Sequence, residues 1–135
     1  MKRLILLLSL VVGTTVSWAI DLTKATIVYN PKDKPLVRKM AQVLADDIER
    51  VSGIRPLVGT QAARGEKIVL STTSCTGLHK ELRGTWERFA IDTKGNTLSI
   101  TGSDARGLAY GVLHVSEAIG VNPWYWFADV KPQAK

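Results

Sequence analysis

Residues 86–120, WERFAIDTKGNTLSITGSDARGLAYGVLHVSEAIG, change their hydrophobic period partway along, and that change decides the fold. From Trp86 the pattern alternates. Phe89 and Ile91 stand against Arg88, Ala90 and Asp92, the chain turns at Lys94-Gly95-Asn96, and Leu98 and Ile100 stand against Ser99 and Thr101. A period of two on both sides of a short Gly-containing turn predicts an antiparallel hairpin. From Ala105 the period becomes helical, with Ala105, Leu108, Val112, Val115 and Ile119 in one narrow arc to lay against the sheet. Ser103 or Asp104 can cap this helix by offering a side-chain oxygen to the open amides of its first turn, and Gly120 ends it. Gly107 and Gly111 stand one turn apart beside the arc. Each costs a helix about 1 kcal/mol relative to Ala, so the pair predicts helix packing in which a neighbouring backbone comes close.

Working outward, ATIVY (25–29) is β-branched and aromatic and stops at Asn30-Pro31, a strand followed by a turn. From Pro35 the apolar residues Leu36, Val37, Met40, Val43, Leu44, Ile48 and Val51 recur at helical spacing, with Pro35 in the first turn and Gly53 as terminator. RPLVG (55–59) and KIVLS (67–71) read as buried strands, and residues 72–84 as a loop with at most one helical turn around Leu78–Leu82. The order β-α-β-β-β-β-α predicts an α/β (α+β) sandwich, a mixed sheet of about five strands with two main helices on at least one face. Residues 20–135 form a single domain in this reading.

The first nineteen residues carry Lys2 and Arg3, an apolar run from Leu4 to Val12, and small residues Ser17 and Ala19. This is the pattern of a secretory signal peptide cleaved near Ala19, and the apolar run is well short of the roughly 20 residues a bilayer core requires. A secreted or periplasmic location follows, with no membrane association after cleavage. Cleavage would lower the net charge from +6 to +4. The remaining cations are scattered, which excludes the gathered basic face of a nucleic-acid partner.

Catalytic chemistry is sparsely signalled. Cys75 is the one cysteine, and His79 four residues on lacks an orienting third group, so a nucleophilic thiol is disfavoured. Two His and one Cys give no metal-ligand spacing, and neither metal nor other cofactor is expected. Arg106, Tyr110, His114 and Glu117 share the polar side of the second helix, but proton transfer needs a pocket that one helix cannot enclose. Trp124, Tyr125, Trp126 and Phe127 then follow one another, framed by Pro123 and Asp129. Such rings suit sugar C–H faces, and equally a buried interface.

The segment GSDARG…YG…SEAIGVNPWYWFADV, residues 102–130, resembles the end of the N-terminal domain of glycoside hydrolase family 115, the xylan α-1,2-glucuronidases. A looser likeness extends to the pre-barrel domain of hexosaminidase-like sugar hydrolases. The upstream elements fit that domain in order, while residues 102–130 carry the specific motif. The resemblance implies a (β/α)8 barrel after this domain, holding the two opposed carboxyl groups that glycoside hydrolysis needs. Such a barrel takes about 250 residues, more than this sequence holds, so no catalytic residue is carried over and the chain alone is expected to be inactive. Its implied partners are that barrel, in a longer chain or in trans, and plant-type glycans. Trp124, Tyr125, Trp126 and Asp129 are the candidate substrate-binding or interdomain residues, with the Gly107/Gly111 stripe joining the domain contact. The alternative is a stand-alone carbohydrate-binding or protein-docking module using Trp124–Phe127.

Overall fold

The computed structural model describes residues 20–61, 64–128 and 131–132, so the expected signal peptide lies outside the described residues. In chain order the elements are β1 (Thr26–Tyr29), α1 (Pro35–Ser52), β2 (Val58–Gly59), β3 (Lys67–Thr72), a 3-10 turn (Lys80–Leu82), β4 (Phe89–Lys94), β5 (Thr97–Gly102), α2 (Ala105–Ile119) and the short α3 (Tyr125–Ala128). The strands form one mixed sheet in the order β2-β1-β3-β5-β4. Its first four members run parallel, and β4 returns antiparallel along β5 as the predicted hairpin, Ile91 opposite Ile100 and Lys94 opposite Thr97.

The α/β sandwich expected from the periodicity is the observed architecture. Both long helices cover one face of the sheet. Val37, Met40, Leu44 and Ile48 of α1 and Leu108, Val112 and Val115 of α2 close over Ile27, Ile68, Leu70, Leu98 and Ile100 in one core. Each such side chain, fully buried, contributes about 1.5–3 kcal/mol. Local signals set the ends of the helices. Pro35 sits in the first turn of α1, and Gly53 closes the helix with φ +78°, a left-handed conformation that disfavours residues with a Cβ. Asp104 caps α2 by accepting the Gly107 amide at 2.7 Å.

Two elements depart from the sequence reading. RPLVG forms only a two-residue strand at the sheet edge, and Leu57 within it is 75% exposed rather than buried. The physical reason is its position: β2 has a neighbour on one side alone, and Pro56 has no amide to lend to a ladder. The aromatic run, to which the sequence pattern assigned no element, folds its backbone into α3.

The loop after β1 is tied across the sheet. Asp33 accepts the Thr72 amide (2.8 Å) and the Thr72 hydroxyl (2.6 Å) at the end of β3. Because the Thr72 hydrogen goes to the carboxylate, the Ser74 hydroxyl 2.6 Å away donates to Thr72. Thr72 is buried, so Asp33→Ala leaves its amide unpaired and its hydroxyl with Ser74 alone. A loss of about 2 kcal/mol is expected in urea unfolding, with Asp33→Asn losing less because it retains an acceptor oxygen.

Candidate functional site

In a parallel sheet, loops at the carboxyl ends of the strands are the usual place for a binding site, because they are held side by side by the strands below. Here that edge gathers the β1–α1 loop, the loop between β3 and β4, and the start of α2. Residues 87–88 are fastened to Ser103 and Asp104, just ahead of α2. The Glu87 amide donates to Asp104 Oδ2 (3.0 Å), the Arg88 amide to Ser103 Oγ (3.0 Å), and Arg88 accepts the Ser103 amide (2.8 Å). Glu87 adopts φ +55°, a left-handed backbone unusual for a residue with a side chain. The amides of Glu87 and Gly107 hold the Asp104 carboxyl below the usual aspartate range. Glu87 Oε1 lies 2.9 Å from the Arg106 guanidinium. Beside this pair Trp86 stands 83% exposed on a cleft of about 470 Å³.

The glycine stripe faces inward. A Cβ on Gly107 would lie 2.2 Å from the Arg88 carbonyl oxygen, and one on Gly111 would lie 2.7 Å from Ile100 Cγ2. The backbone that approaches is therefore the chain's own. Both glycines are buried against the hairpin, so the expected contact of this stripe with another domain gives way to packing within the domain.

The aromatic segment sits at the opposite end, where the helices finish. Tyr125 lies over the Arg50 guanidinium, 5.2 Å from ring centroid to the central carbon, and Arg50 in turn holds the buried Asp47 at 2.9 Å. Trp124 is 65% exposed. Trp126 and Phe127 take part in the α3 backbone, and Asp129 lies outside the described residues. This segment is thus docked on α1 through Tyr125 and presents Trp124 outward.

The remaining candidates separate. Arg106, Tyr110, His114 and Glu117 all lie on the exposed side of α2, where His114 packs its ring against Phe89 at 5.7 Å. Of the four, Arg106 lines the Trp86 cleft and the other three do not. His79 turns to two carboxylates, with Nδ1 2.8 Å from Glu81 Oε1 and Nε2 bonded to Asp92 on β4. Cys75 is an exposed free thiol. Among the described residues no group of His, Cys, Asp and Glu is arranged to hold a metal ion.

The carboxylates of Glu81, then Asp92, raise the His79 pKa. The protonated bridge therefore contributes its full stability below the ordinary imidazole range and loses it as pH rises through the raised value. Wild-type protein is expected to lose a few tenths of a kcal/mol more than His79→Gln between about pH 6 and about pH 9, a surface ion-pair magnitude. Urea unfolding at the two pH values measures it.

Sequence reasoning missed the Trp86 cleft because its walls come from residues 34–36, 86–87 and 104–106. The available signal was a lone Trp placed just ahead of an alternating strand.

No protein-family model matches the sequence, and no curated protein matches it either. Among solved structures the chain is similar to a family GH115 4-O-methyl-α-glucuronidase with specificity for decorated arabinogalactans. The two share 28% identity at a TM-score of 0.72, over 83% of this chain and 15% of that one. The fold is also similar to that of a GH138 enzyme targeting pectin rhamnogalacturonan II, with TM-score 0.54 and 19% identity over 71% of this chain and 13% of that one. CpGH84D gives TM-score 0.54 and 13% identity over 72% and 18%. The chain spans less than a fifth of each of these proteins. In fold and in sequence it is similar to a portion of a family GH115 α-glucuronidase, the family that its GSDARG to PWYWFADV segment resembles.

Proposed function

We propose that this chain is the N-terminal, non-catalytic α/β domain of a secreted glycoside hydrolase related to the family 115 α-glucuronidases, and that it supports a catalytic barrel. The carrying observation is the match to a GH115 4-O-methyl-α-glucuronidase, which covers most of this chain and a small share of that enzyme. The state of the carboxylates at the strand ends supports it. Both oxygens of Asp104 accept backbone amides, and both oxygens of Asp33 are held by Thr72. The oxygens of both are taken up by these contacts, whereas glycoside hydrolysis needs two carboxyl groups facing each other across the bond.

In this reading residues 1–19 direct export. Trp124 meets the barrel, because it is exposed while its neighbour Tyr125 is held by Arg50. The substrate of the whole enzyme would be a glucuronidated plant glycan. The test is catalytic competence in isolation. Purified residues 20–135 incubated with glucuronoxylan should release no glucuronic acid, and measurable release abolished by substitution within this chain would overturn the reading.

A further inference from the structure

The cleft beside Trp86 lies outside the buried core, which only Leu36 of its lining packs against. Pro35, Leu36, Trp86 and Ala105 give its apolar lining, and Lys34, Glu87, Asp104 and Arg106 its polar lining. It is an open depression of about 470 Å³ with a mainly apolar lining.

Two features give the cleft a ligand chemistry. The first is the indole. Trp is among the more buried residue types, yet Trp86 is 83% exposed, directly ahead of Glu87 and Arg88, whose backbones make three hydrogen bonds to Ser103 and Asp104 and pass through the left-handed turn at Glu87. Folding gains little from an indole in water, so this exposed placement beside a fastened segment favours a partner with a flat apolar face. The second is the polarity of the rim. Asp104 has spent its oxygens on amides, and Glu87 Oε1 is engaged by one Arg106 nitrogen. Arg106 is 66% exposed with guanidinium donors to spare, and Lys34 makes no ion pair among the described residues. The cleft therefore offers a flat apolar wall and hydrogen-bond donors.

A pyranose ring supplies the complement: an apolar C–H face, with ring and hydroxyl oxygens around its edge as acceptors. We propose that this cleft is a carbohydrate-binding subsite in which the Trp86 indole stacks on a pyranose face and Arg106 and Lys34 donate to the sugar's oxygens. The inference rests on the glycosidase-domain reading and deepens it, placing glycan contact at the strand ends rather than at Trp124–Phe127. It holds polysaccharide on the domain without performing chemistry on it.

The test is migration of the purified chain through native gels cast with arabinogalactan, with glucuronoxylan, or without polysaccharide. Retardation by at least one polysaccharide is expected. Trp86→Ala should weaken it roughly 30-fold, the effect of removing an aromatic anchor. Trp86→Phe should keep part of it, because a flat face remains, and Arg106→Gln should reduce it. Trp124→Ala should leave it unchanged. Trp86 is exposed, so Trp86→Ala should unfold at the wild-type temperature, which separates lost binding from lost folding. No retardation by either polysaccharide would overturn the proposal, as would retardation that survives Trp86→Ala or is abolished by Trp124→Ala. Neither the release assay nor the size of the native polypeptide depends on Trp86, so the broader reading stands or falls separately.

Discussion

Gly107→Ala is expected to destabilise the domain by about 3 kcal/mol, and Gly107→Val to prevent its folding, although Gly to Ala in a helix ordinarily stabilises by about 1 kcal/mol. The sign reverses because of what the new Cβ meets. It would lie 2.2 Å from the Arg88 carbonyl oxygen and 3.0 Å from the Arg88 carbonyl carbon and amide nitrogen. Backbone cannot swing aside as a side-chain tip can. Relief requires moving the start of β4 away from α2, which breaks the bond from the Ser103 amide to Arg88 and loosens the clasp of Glu87 on Asp104. Gly111→Ala is the control. Its Cβ would meet Ile100 Cγ2 at 2.7 Å and Phe89 side-chain atoms at 3.2 Å, groups that can shift, so a loss of about 1 kcal/mol is expected. Urea unfolding followed by circular dichroism ranks the variants. A more stable Gly107→Ala would mean that α2 does not press on Arg88 as described.

Arg50→Ala is expected to cost about 3 kcal/mol and to release the aromatic segment. Asp47 is 4% exposed on the inner side of α1, and Arg50 is its ion-pair partner. Removing one partner of a buried pair leaves a charge without compensation, a loss of about 3–5 kcal/mol. The lower end applies because the Arg50 side chain is 31% exposed. Arg50 also lies over the Tyr125 ring, so its removal should change the near-ultraviolet circular dichroism of the aromatic run before global unfolding. The double variant Asp47→Asn/Arg50→Ala should recover part of the stability, since no buried charge remains, but not the aromatic signal. A full aromatic signal in Arg50→Ala would show that Tyr125 is held by other contacts.

The parts of the fold legible in the sequence are those encoded locally. The β4–β5 hairpin follows from alternation around Gly95-Asn96, and α1 and α2 from apolar spacing bounded by Pro35, Gly53, Asp104 and Gly120. The close approach expected at Gly107 is there, but it comes from Arg88 of the same chain. Pattern alone could not order the strands, because β1, β3 and β5 are joined by ladders between segments far apart in sequence. It overestimated β2 for a related reason: Leu57 and Val58 look like a buried strand, yet the burial of an apolar pair depends on the edge it occupies.

The candidate site was half legible. The aromatic segment announces itself by composition, whereas its seat on Arg50 and Asp47 requires α1 and α3 to meet. The Trp86 cleft is assembled from three separate stretches and from a left-handed Glu87 that no spacing rule reveals. His79 invited pairing with Cys75 through its sequence distance, but the loop carries it to Glu81 and Asp92 instead. In each case the deciding contact spans elements, and a one-dimensional pattern carries no information on it.

The central claim, that this domain serves a larger glycoside hydrolase, is tested most directly by the size of the native polypeptide. An antibody raised against residues 20–135 and applied to the periplasmic and extracellular fractions of the producing cell should detect a band several times larger than 14.8 kDa. That band should release glucuronic acid from glucuronoxylan after immunoprecipitation. A band at the size of this chain alone, with no larger protein co-precipitating, would contradict the claim.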